Sequence, residues 1–189
     1  LSETQQTLVR NGLRGKVRLQ TDGQMKTGHD IVSMALLGAE EFGFGTTVLI
    51  VLGCVMMRKC HSNTCPMGVA TQNPELRAHF RGHADHVVNY FRFLAEEVRE
   101  YLAEMGFRKF NDIIGRTDLI EIDKAVSQKS ELLDFSRLLH KESGDASIRH
   151  TEAQMHDIDS VLDRTIITAS DPAISNGKEV SLEYAIANT

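Results

Sequence analysis

The chain has 189 residues, 41% hydrophobic and 25% charged, with a formal net charge of −5. This is an ordinary globular composition, long enough for one domain or parts of two, and its mild acidity gives no support for a nucleic-acid surface. No run of about 18 apolar residues is present, so no transmembrane helix is expected. No signal peptide is read, and a cytoplasmic location is the expectation. Leu1 rather than Met stands first, so the sequence is expected to begin inside a longer protein.

Residues 3–10 read as a short helix that Ser2 caps and Asn11-Gly12 ends. In KVRLQTDG, Val17 and Leu19 alternate with Arg18 and Gln20, the period of a strand. A helix is predicted over 28–37, with Ile31, Met34 and Ala35 on one face and Gly38 past its end. A second strand, 41–45, leads into the apolar run TTVLIVLGCVMM, residues 46–57, read as a buried helix. Alternation at this spacing predicts an α/β architecture with parallel strands.

Pro74 opens a further short helix. Over 85–105, Val87, Phe91, Leu94, Val98, Leu102 and Met105 step by three and four, and Gly106 stops the helix. That stripe reads as a packing face, with Arg92 and Glu96 offering an i,i+4 pair. Residues 122–148 are polar and weakly patterned and read as a linker, with a short helix over 132–139. A last helix is predicted over 157–173. The stretch 179–187 alternates as a strand, with Val180, Leu182, Tyr184 and Ile186 on one face.

All three cysteines fall in one segment, Cys54-x5-Cys60-x4-Cys65, with Pro66 after the last. Three soft thiolates in one loop suit an iron–sulfur cluster, and the lack of a fourth cysteine favours a cube missing one iron corner. Two other readings stay open. Zinc could draw on His61, although its adjacency to Cys60 works against a shared ion. The thiols could also be inert small hydrophobes. His79, His83 and His86 lie close in sequence and read as a solvated face.

In TDGQMKTGHDIVSMALLGAEEFGFGTTVL, glycines follow each predicted strand and precede a helix. Asp22, Gly23 and Gln24 would form one βα loop, and Gly43, Gly45 and Thr46 the next. Backbone N–H groups there can approach an anion closely, with a helix N-terminus behind them. Two such loops side by side form the phosphate grip after the last strands of a (β/α)8 barrel. A plain turn at Asp-Gly and tight packing at Gly43-Phe44-Gly45 remain open as well. Asp22 either orients a ribityl hydroxyl or ends the strand; Lys26 either adds a positive charge or is a solvated lysine. A flavin phosphate beside three iron-binding thiols would make a redox relay.

Residues 12–121 resemble the synthase domain of the glutamate synthase family. The matching text includes DGQMKTGHDIV, LLGAEEFGFGT, LGCVMMRKCHSNTCPMGVATQNPELR, VNYFRFLAEEVREYLAEMGF and IGRTDLIE. The resemblance implies the C-terminal part of an FMN-binding TIM (β/α)8 barrel over 1–121, with an iron–sulfur loop at 54–65 and a helical extension. A linker over 122–148 and then a linker helix and first strand of a C-terminal β-helix domain over 149–189 would follow. It implies that Cys54, Cys60 and Cys65 ligate a [3Fe–4S] cluster. It places the FMN phosphate at Asp22, Gly23, Gln24, Gly43, Gly45 and Thr46. Other FMN barrels often read DGG and GIGR here; Gln24 and Thr46 depart from those and agree with this family.

The implied activity is that of an oxidoreductase acting on CH–NH2 donors. It is the reductive amination of 2-oxoglutarate with glutamine-derived ammonia to L-glutamate, with electrons passing through [3Fe–4S] and FMN. The implied partner is an NADPH-oxidising FAD/iron–sulfur small subunit, favoured here, or ferredoxin. No catalytic acid, base or nucleophile matches within these residues. The competing function is a structural or zinc-binding module without redox activity. A quarter of a barrel leaves strand edges bare, so the isolated chain is expected neither to hold FMN tightly nor to make glutamate.

Overall fold

A computed structural model describes residues 1–123, 129–144 and 146–186. Two compact units divide the chain, Leu1–Glu152 and Ala153–Thr189. In the first, α1 (Ser2–Arg10) is followed by β1 (Gln20–Thr21), α2 (Gly28–Leu36), β2 (Glu41–Phe42) and α3 (Thr46–Val51). The short α4 (Pro74–Arg77) and the long α5 (Ala84–Glu104) complete its helices. β1 and β2 run parallel with Gln20 opposite Glu41 and Thr21 opposite Phe42. This small parallel sheet among helices has the α/β character that the alternation predicts.

The core lies between α2 and α5. Val32, Ala35 and Leu36 of α2 meet Leu102 of α5 and Ile113, and Val98, Tyr101, Met105, Phe107 and Phe110 pack around them. The three-and-four stepping of α5 therefore does face a partner. Glu96 pairs with Arg99 at 3.0 Å, not with Arg92, because an i,i+3 guanidinium lies equally within reach. Both helices end on the predicted glycines. Ala39 N donates to Met34 O at 3.0 Å past Gly38, and Phe107 N to Leu102 O at 2.8 Å past Gly106, the 6→1 bond of a Schellman end.

Several predicted elements differ. Ser2 lies inside α1 and is buried rather than capping it; its hydroxyl donates to the Leu138 carbonyl, a tertiary partner in place of the local one. The strand expected from residue 17 is only Gln20–Thr21, since Arg14–Lys16 wind into a 3-10 turn. The helix expected over 46–57 stops at Val51. Gly53 adopts φ 98°, and Gly53 N and Cys54 N donate back to Ile50 O and Leu49 O, both at 2.9 Å. This is the same Schellman end, here set inside an apolar run. Nor is the run buried: Leu49, Ile50, Val55, Met56 and Met57 are all exposed, and Thr47 is the residue of α3 that is buried.

A buried arginine ties the first unit together. Arg14 is fully enclosed. Its Nε donates to Gln5 Oε1 at 2.5 Å, its Nη1 to Val17 O at 2.6 Å, and its Nη2 to Gly38 O at 3.1 Å and Glu40 Oε2 at 2.6 Å. Gln5, equally enclosed, passes the link on from its Nε2 to Ile148 O at 2.7 Å. The other oxygen of Glu40 accepts from His150 N at 2.9 Å. Thr151 N and Glu152 N both donate to Gly15 O at 2.9 Å. Residues 138–144 and 146–152 are thus docked on α1 and on the turn after it. Lys141 reaches Asp118 at 2.7 Å, and Arg116 also pairs with Asp118 at 2.8 Å.

The helix expected over 132–139 is a 3-10 turn, Ser130–Leu132, after which Leu133 turns extended. In the second unit, α6 (Leu162–Asn176) begins later than the predicted residue 157 and ends at Gly177. Among the described residues the only ladder is β1 with β2, so the alternating stretch 179–186 joins no sheet, and residue 187 lies outside the described residues. No helix among the described residues is long and apolar enough to cross a membrane.

Replacing Arg14 by Met leaves Glu40 and Gln5 without their buried donor. Loss of one partner of a buried pair costs roughly 3–5 kcal/mol, so R14M should lower the urea midpoint far more than R10M at the exposed neighbour. The Arg116 guanidinium, with Lys141 behind it, holds the Asp118 carboxyl well below the usual carboxylate range. A depressed carboxylate stabilises the fold above its unfolded pKa of about 4 and loses that contribution as pH falls below it. Asp118→Asn should therefore flatten the acid side of the stability–pH curve measured by thermal melting.

Candidate functional site

The parallel register of β1 and β2 carries their following loops to the same side. Asp22, Gly23 and Gln24 from the first loop and Gly43, Phe44, Gly45 and Thr46 from the second line one cleft of about 470 Å3. All six residues that sequence reading assigned to phosphate contact are therefore brought together. Gly43 N donates to Thr21 O at 2.8 Å, and a Cβ at Gly43 would stand 3.0 Å from the Asp22 Cβ. That close approach is the local reason for a glycine. Gln24 takes φ 59°, the left-handed region that glycine prefers. A glutamine thus holds a glycine-like backbone at this turn.

The loop is clamped from three sides. Thr47 Oγ1 donates to Met25 O at 2.6 Å in a buried bond, and Tyr90 OH donates to Lys26 O at 2.6 Å. Asp30 Oδ2 accepts from Lys26 N and Thr27 N at 2.8 and 3.0 Å, and Thr27 Oγ1 accepts from Asp30 N, a complete capping box. The Lys26 N–H is the chief cause that pulls the Asp30 carboxyl below its usual range. Burial pushes the Tyr90 phenol up, with the Glu97 and Asp30 carboxylates acting the same way. Phe44 of the second loop packs edge-on against Phe91 of α5 at 5.1 Å. Thr47, Tyr90 and the capping box were not singled out from sequence; the T-x-x-D spacing of Thr27 and Asp30 was the available signal.

One expected contribution is taken by the protein itself. The N-terminus of α2 is closed by the capping box, and Gly28 N donates to Glu97 Oε2 at 2.7 Å. Its dipole is spent on carboxylates rather than on a ligand. An anion in the cleft would meet the backbone of Gly23, Gln24, Gly43 and Gly45 and the N–H and hydroxyl of Thr46. Gly45, the first residue of the turn into α3, offers no side-chain cap, and a Cβ there would meet nothing. Lys26 Nζ stands 3.4 Å from Gln24 Oε1, beside the cleft and outside its lining. These residues fit a phosphate group bound through backbone donors.

The three cysteines follow α3 directly. Cys54, Cys60 and Cys65 are free thiols that line one small cavity with Met56, Met57 and Pro66. Its volume of about 20 Å3 is on the scale of one or two waters, so a larger group seats there only as the loop moves outward. Among the described residues, no three His, Cys, Asp or Glu side chains are arranged to hold a single metal ion. Met56 N donates to Cys54 Sγ at 3.4 Å. The backbone N–H of Ala70, then those of Met67, Val69 and Gly68, pull the Cys65 thiol below its ordinary value. Soft donors, three in number and drawn from one loop lined by methionines, have the chemistry of an iron–sulfur ligand set. His61 adjoins Cys60 in an exposed 3-10 turn. His83 and His86 meet edge to face at 5.4 Å, and His79 faces Pro66 O.

Residues 1–108 match the conserved region of glutamate synthase, and the chain belongs to this family. It is 53% identical to the glutamate synthase [NADPH] large chain of Bacillus subtilis over the whole of this chain and 12% of that protein. It is 46% identical to the glutamate synthase [NADH] of Schizosaccharomyces pombe, again over its whole length and 9% of the relative. The chloroplastic ferredoxin-dependent glutamate synthase of rice is 46% identical over all of this chain and 12% of its own length. The chain thus spans about a tenth of the curated relatives it matches.

Thr47→Val would remove the buried donor to Met25 O and leave that carbonyl unsatisfied, at a cost of about 1–3 kcal/mol. Faster hydrogen exchange at the amides of residues 22–27, with α5 unchanged, is the expected result.

Proposed function

We propose that this chain is the part of a glutamate synthase that grips the FMN phosphate and ligates a [3Fe–4S] cluster. The observation that supports this most is the arrangement around α3. The two glycine-bearing loops meet at its first turn, and the first cysteine follows its last. In this reading β1, α2, β2 and α3 form the last strand–helix units of a TIM barrel, and Ala153–Thr189 leads into a β-helix domain. The parallel pairing of β1 and β2 supports the former.

The whole enzyme would be an oxidoreductase that makes L-glutamate from 2-oxoglutarate and glutamine-derived ammonia. When bound, the flavin would supply hydride chemistry and the cluster single-electron transfer. This chain's own work is binding and positioning. The backbone donors of Gly23, Gln24, Gly45 and Thr46 would hold the phosphate, and Gly43, whose N–H is given to Thr21 O, would contribute close backbone approach. The carboxylate of Asp22 would accept from a polyol hydroxyl rather than face the phosphate, since like charges repel. Cys54, Cys60 and Cys65 would each give one thiolate to the cluster. We favour an NADPH-linked electron donor over ferredoxin; relatives of both kinds match the whole of this chain. A cytoplasmic setting agrees with three free thiols.

The test is metal analysis and low-temperature EPR on the anaerobically purified full-length large chain carrying these residues. About three irons per chain and the signal of an oxidised three-iron cluster are expected, and both should vanish in Cys60→Ser. Zinc without iron in the wild type would move the thiols to a structural zinc role and end the redox reading.

A further inference from the structure

The flank of Cys65 is built differently from that of the other two thiols. Asn63 stands at φ 59°. Its Oδ1 accepts from Thr71 Oγ1 at 2.9 Å and from Gln72 N at 2.7 Å, and its carbonyl accepts from Thr71 Oγ1 at 2.8 Å. These bonds close the chain across Cys65, joining residue 63 to residues 71–72. Asn73, next in sequence, caps α4 through Glu75 N and Leu76 N. Gly68, at φ 71°, lies flat on α4: a Cβ there would collide with the Leu76 carbonyl and stand 3.0 Å from Phe80 N. The carbonyl of Pro66 lies 3.0 Å from His79 Nδ1 just past α4. The bonds around Cys54 and Cys60 are local instead. Met56 N donates to Cys54 Sγ, and Ser62 N donates to Lys59 O at 3.1 Å. Met56 and Arg58 both hold positive φ, 58° and 56°, conformations that L side chains rarely adopt.

We propose that Asn63, Gly68 and His79 are positioning residues that fix Cys65 as the preformed corner of the thiol triad, onto which the 54–60 stretch closes. The inference rests on the reading of the three cysteines as cluster ligands. Its physical basis is the cost of ordering. A ligand already held by hydrogen bonds and close packing loses little freedom when the cluster binds, whereas the 54–60 stretch must be ordered at that moment. The small cavity agrees, because room for a cluster has to come from the side of the loop that is not braced.

The experiment compares wild type, Asn63→Ala, Asn63→Asp, Gly68→Ala and the exposed control Met155→Ala, outside the thiol loop, in the full-length large chain, purified anaerobically. Iron per chain, the rate of iron loss to a chelator and the EPR line shape are read, with circular dichroism as a check on folding. Loss of a residue that supports a metal ligand typically weakens binding about 10- to 100-fold. Asn63→Ala and Gly68→Ala should therefore shed iron faster by roughly that factor. Asn63→Asp keeps both the acceptor oxygen and the tolerance of positive φ, so it should stay close to wild type, as should Met155→Ala. If Gly68→Ala fails to fold, the Asn63 pair decides. Iron-loaded wild type with an equally retentive Asn63→Ala would overturn the brace alone. Asn63→Asp losing iron like Asn63→Ala would also overturn it. Wild type without iron would overturn the cluster reading, and the brace with it.

Discussion

A sheet of two strands, each two residues long, cannot hold its own register, and in this chain the buried guanidinium of Arg14 holds it. Arg14 binds Val17 O just before β1 and Gly38 O and Glu40 just before β2. One side chain thereby sets the distance between the two strand entries. Glu40 N and Glu41 N then reach Leu19 O at 2.8 and 3.2 Å, and the parallel pairing follows. Everything at the far ends of the strands depends on that start. A slip by one residue would turn each strand over and carry Asp22 and Gly43 away from their common cleft. A charge enclosed this completely is stable only because its donors are met: Gln5, two carbonyls and a carboxylate leave little unpaired. Gln5 and Glu40 extend the same network to Ile148 and His150, so the polar segment around 148–150 is held by the group that registers the sheet.

Hydrophobic period and helix stops were the legible part of the sequence. α5 and α2 were readable because each shows its apolar face to a partner and ends on a glycine. The same Schellman end at Gly53 was not, because it lies in a continuous apolar run where the period gives no break. The expectation that the run is buried also failed, for Leu49, Ile50, Val55, Met56 and Met57 are exposed. Arg14 was invisible for the opposite reason. It is a charged residue next to glycine in an aperiodic stretch, and only tertiary partners reveal it. Residues 138–144 and 146–152 dock mainly through polar bonds to backbone and side-chain groups, which leave no apolar pattern to read.

Of the candidate site, the residue types and their clustering were legible, and the support was not. The glycines of the two loops and the three cysteines stand out in the sequence because their chemistry is rare. Thr47, Tyr90, Asp30 and Asn63, which hold those loops, are common polar residues on helices or in turns. Their roles come from reaching carbonyls or amides, in the cases of Thr47 and Tyr90 some 22 and 64 residues away in the chain. The dipole expected from α2 shows the same limit. The sequence marks a helix start after Gly23, but Asp30 and Glu97 close it, and the anion-binding capacity passes to the unspent backbone of the loops.

α3 joins the two halves of the site, and its shortness has a functional consequence. Its six residues rise about 1.5 Å each, so the helix spans about 9 Å. One end begins in the glycine cleft at Thr46; the other delivers Cys54 after a two-residue cap. Thr47, in its first turn, is buried and bonded to Met25 O, so the helix is fixed at the cleft end. Its far end carries exposed side chains and a loop with two strained residues. A rigid spacer fixed at one end and compliant at the other suits the proposed pairing of a flavin with a cluster. The flavin needs a constant seat, while the thiols must open for a cluster to enter. Extending α3 through residue 57, as its apolar run suggests, would carry Cys54 onto the helix and around its axis, away from Cys60 and Cys65. Gly53 prevents this, and so one glycine decides whether the three thiols can share a site at all.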